Sequence, residues 1–176
     1  MTAARDDVLR ALRARLLSGD RRELGEATAV AREALDDPGL LPLLVDCLED
    51  GDATLVSHAA HAAMQVSRDR PELFQLFAGR LTGILAASPV WEIGEQLPKI
   101  LARLDLDPAQ AAQLQAVLER KVESESAIAA ASALTALVDL ARRGLIDPGD
   151  ARRAVEKALS SPRKAVAARA RRLLAS

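Results

Sequence analysis

Three side chains come nearest to a chemical site in this sequence: Cys47, His58 and His61. Residues three apart on a helix share one side, so the two imidazoles would point the same way. The thiol would lie on the preceding helix of the same hairpin. A structural zinc ion takes four ligands at defined spacings, and no fourth ligand accompanies these three. We therefore expect no metal site and interpret Cys47 as a small buried apolar residue.

The sequence also lacks the motifs of common enzymes. It contains no glycine-rich phosphate loop, no G-x-S-x-G and no H-E-x-x-H. Cys47 falls inside an apolar stretch, whereas reactive thiols are activated at electropositive helix starts. We predict that the protein is not an enzyme, and no cofactor is indicated.

The composition points to helices. The chain has 176 residues with a formal net charge of −1, and 36 alanines and 29 leucines supply much of its apolar content. Alanine and leucine favour helices, whereas strands favour β-branched and aromatic residues, which are scarce here. This composition predicts an all-α protein. The length is enough for a single domain over residues 1–176 that buries about two thirds of its unfolded surface.

Nothing in the sequence indicates a membrane or secreted protein. The longest stretches without Asp, Glu, Lys or Arg cover residues 53–67 and 126–138. Both are shorter than the roughly 18–20 residues of a membrane-spanning helix. The N-terminus alternates charged with apolar residues and shows no signal-peptide core. We expect a cytoplasmic protein that binds no membrane.

Turn signals divide the chain into ten helical segments joined by short turns. Several place Asp or Ser directly before Pro, which is typical of an N-cap followed by a first-turn proline. In the second helices of the second, third and fourth pairs, an apolar or small residue recurs at +4, +7, +8 and +11, as one buried stripe requires. The fifth pair shows the pattern at +4, +7 and +8, and the first pair shows a degenerate form at +4, +7 and +11. The stripe starts are about 36 residues apart and fall at Leu24, Leu55, Ile93, Ala130 and Val166.

A repeat of this length predicts five stacked helical hairpins, because a single hairpin cannot bury its apolar face alone. The alternative is a globular bundle of ten helices without a regular superhelix, and the regular spacing favours the solenoid. The units cover about residues 1–37, 38–70, 71–106, 107–146 and 147–176.

The second unit carries a distinctive pattern. Its first helix reads LLPLL at 40–44, an acidic turn with Asp50 and Asp52 follows, and the second helix is alanine-rich at 59–66. This pattern resembles a HEAT repeat, although the arginine usual near the start of the second helix is replaced by Val56, and by Ala167 in the fifth unit. The resemblance implies a right-handed α-solenoid that is used for binding and specifies no chemistry.

HEAT-like solenoids that excise alkylated bases use aromatic and carboxylate residues along a basic groove, whereas this sequence has one tryptophan and no tyrosine. In solenoids of this kind the second helices line the concave face, so their outward polar residues are candidate binding residues. A solvated helix face is the alternative for each. The candidates are His58, His61 and Gln65 in the second unit, Glu95, Lys99 and Arg103 in the third, Arg142 in the fourth, and Arg169 and Arg172 in the fifth.

Trp91 is a further candidate. It is the one tryptophan of the chain and follows Ser88 and Pro89 in the turn before the second helix of the third unit. A lone indole at a helix start either closes the core between two units or stands out as a binding anchor.

Charge is distributed unevenly along the chain. Residues 142–176 carry a net charge of +7 and the remainder carries −8, with seven acids between residues 33 and 52. The basic C-terminal helix pair would suit an acidic partner or a phosphate backbone, or it gives a terminal repeat a polar outer face. Aromatic stacking residues and nucleic-acid motifs are absent there. We therefore expect a non-catalytic scaffold for an unidentified protein partner, with nucleic-acid binding as the alternative function.

The repeat register predicts that Ala62 lies where helices pack closely. Ala62→Trp should lower the free energy of unfolding by about 1–3 kcal/mol, because the larger side chain overpacks the contact. Thermal unfolding measures this, and an unchanged unfolding temperature would show that the register is wrong.

Overall fold

The computed structural model describes residues 2–19 and 24–175. Within these ranges the chain forms ten α-helices and no strand, which confirms the predicted all-α class; residues 20–23 of the first predicted unit lie outside them. Two 3₁₀ segments, Pro38–Leu40 and Pro71–Phe77, precede the third and the fifth helix. The helices are α1 (Thr2–Leu16), α2 (Ala27–Asp36), α3 (Leu41–Cys47), α4 (Ala53–Asp69), α5 (Ala78–Ala87), α6 (Trp91–Leu101), α7 (Pro108–Val122), α8 (Ala127–Arg142), α9 (Pro148–Leu159) and α10 (Lys164–Leu174).

Several helices start at the predicted capping signals. The Asp52 carboxylate accepts hydrogen bonds from the backbone N–H groups of Thr54 (2.8 Å) and Leu55 (3.1 Å). The Asp107 carboxylate accepts one from the Gln110 N–H (2.8 Å), and the Gln110 side chain accepts one from the Asp107 N–H (3.1 Å). This reciprocal pair is a complete capping box. The caps satisfy backbone donors that have no partner within the helix, and they fix the length of each turn.

The ten helices pack as five hairpins in two layers. The second helices, α2, α4, α6, α8 and α10, stack in this order into one layer. Each first helix packs against the second helix of its own hairpin. The described part of the chain is therefore an α-solenoid, as the repeat predicts. Its helices are all too short or too polar to cross a membrane.

The first two positions of the predicted apolar stripe are buried in four of the five second helices, whereas Leu174 at the end of the fifth stripe is 50% exposed. Leu55, Ile93, Ala130 and Val166 have no exposed surface, and the same is true of the residue four positions after each. Burying these side chains against the first-helix layer removes apolar surface from water, which is the main contribution to stability that a solenoid has available.

The first unit departs from the predicted register. Leu24 precedes α2 and has a φ of 61°, and Gly25 follows with a φ of 50°. The buried stripe of α2 starts instead at Ala27 and continues through Ala31 and Ala34. The prediction that the stripe starts at Leu24 is wrong, because two successive left-handed residues form a turn there and delay the helix.

Helices α6 and α8 approach each other closely at Gly94. A Cβ added at this buried glycine would lie 2.7 Å from the Cβ of Ala129, which is closer than two carbon atoms approach without a shift of the structure. Glycine weakens a helix interior because of its conformational freedom. Gly94 is therefore required by the packing of the second-helix layer, and its effect on helix propensity is secondary.

Gly94→Ala should lower the free energy of unfolding by about 1–3 kcal/mol, because the added methyl group forces α6 and α8 apart. The matched control is Gly83→Ala in α5, where an added Cβ meets no atom within 4 Å. The control should raise the free energy of unfolding by about 0.5–1 kcal/mol through helix propensity alone. Urea unfolding measures both variants, and a gain in stability for Gly94→Ala would contradict this account of the α6–α8 contact.

Candidate functional site

The exposed faces of α6, α8 and α10 form an open groove with a volume of about 1030 Å³. Six basic and two acidic side chains line it, which gives the groove a net charge of +4 in a chain whose total is −1. The groove is therefore much more positive than the protein as a whole. Its charged residues are Glu95, Lys99, Arg103, Asp139, Arg142, Arg143, Arg169 and Arg172.

Four alanines and one isoleucine form the floor of the groove. α8 contributes Ala127, Ile128 and Ala131, and α10 contributes Ala165 and Ala168. Ile128 is 52% exposed, which is unusual for a large apolar residue in this structure. Because alanine occupies little space, a ligand in the groove would approach the helices closely and contact apolar surface between the charged walls.

Arg143 holds two hairpins together. Its Nη1 donates hydrogen bonds to the backbone carbonyls of Ala102 (2.6 Å) and Leu104 (2.8 Å), and its Nη2 donates to Oδ1 of Asp105 (2.8 Å). These acceptors follow the end of α6, where backbone carbonyls have no helical partner. The guanidinium group of Arg143 is thus committed to the structure.

Lys99 and Arg103 have partners at one side of the groove. Lys99 Nζ donates to Oε1 of Glu95 (3.1 Å) and to Oε1 of Gln96 (3.2 Å) on its own helix. Arg103 Nη1 donates to Oγ of Ser67 (2.9 Å), near the end of α4. An ammonium group has three donors and a guanidinium group has five, so both side chains keep donors for a ligand.

Arg169 and Arg172 extend from α10 into the groove and are exposed. Neither forms a hydrogen bond or an ion pair with a residue that the structure describes. On neighbouring α8, Asp139 Oδ1 lies 3.8 Å from Arg142 Nη1, and burial raises the pKa of Asp139. The groove therefore presents two uncommitted guanidinium groups beside a carboxylate that is partly removed from water.

Ser132 fixes the relative position of α6 and α8. Pro98 lies inside α6 and lacks the N–H that would bond to the carbonyl of Gly94. The next carbonyl, that of Glu95, accepts a hydrogen bond from Oγ of Ser132 on α8 (2.6 Å). Ser132 thereby supports the turn of α6 that the proline weakens, and this same turn carries Glu95 and Lys99 into the groove.

The predicted site residues His61 and Gln65 lie on α4, outside the groove. Gln65 Nε2 donates to Oγ1 of Thr28 (3.3 Å), and Gln96 Nε2 lies 3.4 Å from Nδ1 of His61. Since an amide nitrogen only donates, Nδ1 of His61 is the acceptor and carries no proton. Burial lowers the pKa of His61, against a smaller opposing effect of Glu95. Both side chains therefore link neighbouring hairpins.

His58 does not lie on the surface, and the prediction that it faces outward is wrong. Its side chain is fully buried, and its Nδ1 donates a hydrogen bond to the carbonyl of Leu16 at the end of α1 (2.6 Å). Ser57 beside it is buried too. The reason is that the first hairpin packs over this part of α4 and covers the face that the helical register leaves outward.

Trp91 is the first residue of α6 and is 41% exposed. It lies one helical turn before Glu95, so the two side chains share a face of the helix. Trp91 is not part of the groove lining, but it continues the same surface at one end. This exposure favours the role of a binding anchor for the indole over that of closing the core between two units.

Cys47 is buried, as predicted, and burial raises the pKa of its thiol to about 11. The thiol is therefore protonated at neutral pH and is a poor nucleophile. Among the described residues, no group of three or more His, Cys, Asp or Glu side chains is arranged to hold a metal ion.

The acidic residues between positions 33 and 52 do not form an open acidic surface. Asp46 forms ion pairs with Arg5 (2.7 Å) and Arg80 (2.9 Å), and Glu33 forms one with Arg15 (2.6 Å). Part of the negative charge in the first half of the chain is thus paired with arginines of other helices. In the groove, three of the six cations are also paired with acids, whereas Arg169 and Arg172 have no partner among the described residues.

Sequence reasoning placed six of its ten candidates where the groove lies and missed its apolar lining. Glu95, Lys99, Arg103, Arg142, Arg169 and Arg172 are brought together, whereas Ile128, Ala131, Ala165 and Ala168 were not singled out. The search for outward residues was restricted to polar ones. The helical register itself assigns the small residues to the same face, so the signal was present in the sequence.

No protein-family model matches the chain, and no curated protein matches it. Solved structures that are similar in fold include the following two. An engineered protein has 22% sequence identity and a TM-score of 0.61, over 95% of this chain and 78% of that chain. A designed armadillo repeat protein has 18% identity and a TM-score of 0.55, over 95% of this chain and 98% of that chain. At these identities the likeness shows a solenoid of helical repeats.

His61 should make the stability of the protein depend on pH. Because its pKa in the folded state lies below the ordinary value of 6.5, the unfolded chain binds more protons as the pH falls past 6.5. The contribution of neutral, buried His61 to the free energy of unfolding is therefore fully present above pH 6.5 and decreases as the pH falls below it. When the pH is lowered from about 7.5 to about 5.5, the unfolding temperature of the wild type should decrease by more than that of His61→Gln. Equal losses in thermal unfolding would contradict the assignment, since His58 is common to both proteins.

Proposed function

We propose that this protein is a non-catalytic scaffold that binds a partner protein in the groove formed by α6, α8 and α10. The observation that supports this most is the exposure of Arg169 and Arg172 in the groove, without a partner among the described residues. Their donors have no structural use there and are available to a ligand. Shape and charge, rather than a chemical step, would select the partner.

We further propose that the repeats are of the HEAT type and that the five hairpins act as one binding domain over residues 1–176. The two-helix units and the LLPLL segment at 40–44 support this. The two departures from the HEAT pattern have a physical reason. Val56 and Ala167 are both buried on second helices, where an arginine would lose its hydration.

Nucleic-acid binding by the basic C-terminal helix pair, α9 and α10, is the second candidate function. Lys164 and Arg171 on α10 are exposed, have no partner among the described residues and do not line the groove. They extend the positive surface beyond the groove. Binding of this kind would be strongly salt-dependent, because phosphate contacts release counterions.

Two matched variants test whether the groove binds a protein. Ile128→Asp places a carboxylate on the groove floor, and Leu76→Asp makes the same kind of change at a residue that is 96% exposed outside the groove. Proteins captured from a lysate of the source organism by the wild type should also be captured by Leu76→Asp and lost with Ile128→Asp. Mass spectrometry measures the enrichment.

The same capture experiment distinguishes the two functions. Equal capture by the two variants would contradict binding in the groove. If nuclease treatment of the lysate removes the captured proteins, the second candidate function is supported instead. Circular dichroism of both variants confirms that the helices are retained.

A further inference from the structure

We propose that the groove selects an acidic segment of its partner: an extended stretch of chain that carries several Asp or Glu side chains and at least one apolar side chain. This inference rests on the proposed function of the groove and adds the chemistry of the occupant. Three features support it, namely the charge of the walls, the dimensions of the floor and the two carboxylates within the groove.

The charge of the walls is the first feature. Lys99, Arg142 and Arg143 are paired with acids of the protein, but Arg169 and Arg172 have no partner among the described residues. Outside the groove, Arg5 and Arg80 are paired with carboxylates of neighbouring helices. A carboxylate brought to Arg169 or Arg172 would form the same charge-assisted hydrogen bonds with a ligand that those arginines form internally.

The dimensions of the floor are the second feature. Packed helices lie about 8–10 Å apart, so a groove over α6, α8 and α10 is about 20 Å wide. An extended chain rises about 3.3 Å per residue, so about six residues cross it. The alanines of the floor give such a chain room, and Ile128 at 52% exposure offers contact to an apolar side chain.

The two carboxylates are the third feature, and they favour a peptide over a nucleic acid. Glu95 and Asp139 lie among the cations of the groove and would repel a nucleic acid, which carries a phosphate at every nucleotide. A peptide instead has backbone N–H groups, which donate to carboxylates between its acidic side chains. No aromatic side chain lines the described groove to stack a base.

The test uses the full chain and a fluorescein-labelled peptide that alternates glutamate with leucine. Its length of about eight residues exceeds the roughly six that cross the groove by about one residue at each end. Two further probes are the same peptide with lysine in place of glutamate and a single-stranded oligonucleotide of equal length. The double variant Arg169→Glu with Arg172→Glu removes the uncommitted groove cations. Lys164→Glu with Arg171→Glu makes the same charge change on the same helix outside the groove.

Fluorescence anisotropy should show binding of the glutamate peptide that weakens between about 50 mM and about 200 mM salt. The groove double variant should weaken it at least about tenfold, and the control double variant by less than about threefold. Circular dichroism should show both double variants folded. Equal weakening by the two would overturn the proposal, because net charge alone would then explain the binding.

Other outcomes overturn the proposal in distinguishable ways. If the oligonucleotide binds more tightly than the glutamate peptide, the groove is a nucleic-acid site. If the lysine peptide binds as well as the glutamate peptide, or if neither binds while capture still depends on Ile128, the acidic selection fails and the scaffold function stands. If capture is also independent of Ile128, both fail.

Discussion

The close approach of the second helices is the constraint on which the rest of the structure depends. Gly94 of α6 faces Ala129 of α8 with no room for one more methyl group, and alanines fill many of the other contacts in this layer. Helices that pack at such short distances keep their side chains in a fixed relation to one another. The outward residues of α6, α8 and α10 therefore meet in one groove, and Ser132 donates a hydrogen bond to the turn of α6 in which Pro98 removes one.

The fold could be predicted from the sequence to the extent that it depends on local signals. The stripe starts at Leu55, Ile93, Ala130 and Val166 are buried as the spacing indicates, because each helix must bury one apolar face. The first unit could not be predicted in the same way. Leu24 fits the spacing, but it adopts a left-handed conformation in a turn, and a pattern of apolar residues does not contain that information.

The candidate site could be predicted less well, because its properties depend on contacts between units. His58 has the register of an outward residue, yet the first hairpin covers it and Leu16 accepts its hydrogen bond. The sequence shows seven acids at 33–52, but it does not show that ion pairs with Arg5, Arg15 and Arg80 neutralise part of their charge. The number of charged residues can be read from the sequence. Whether a charged side chain is free to contact a ligand depends on neighbours that are distant in the sequence.

Alanine has two structural roles in this protein that have the same physical basis, its small volume. Buried alanines such as Ala59 and Ala62 let helices approach, and exposed alanines such as Ala165 leave the groove open. A larger side chain at a buried position meets close-packed atoms and costs stability. A larger side chain at an exposed groove position meets solvent, so it fills the groove and leaves the core intact. The close packing of the helices and the open lining of the groove are thus carried by different faces of the same helices, so the lining can change without a change of fold.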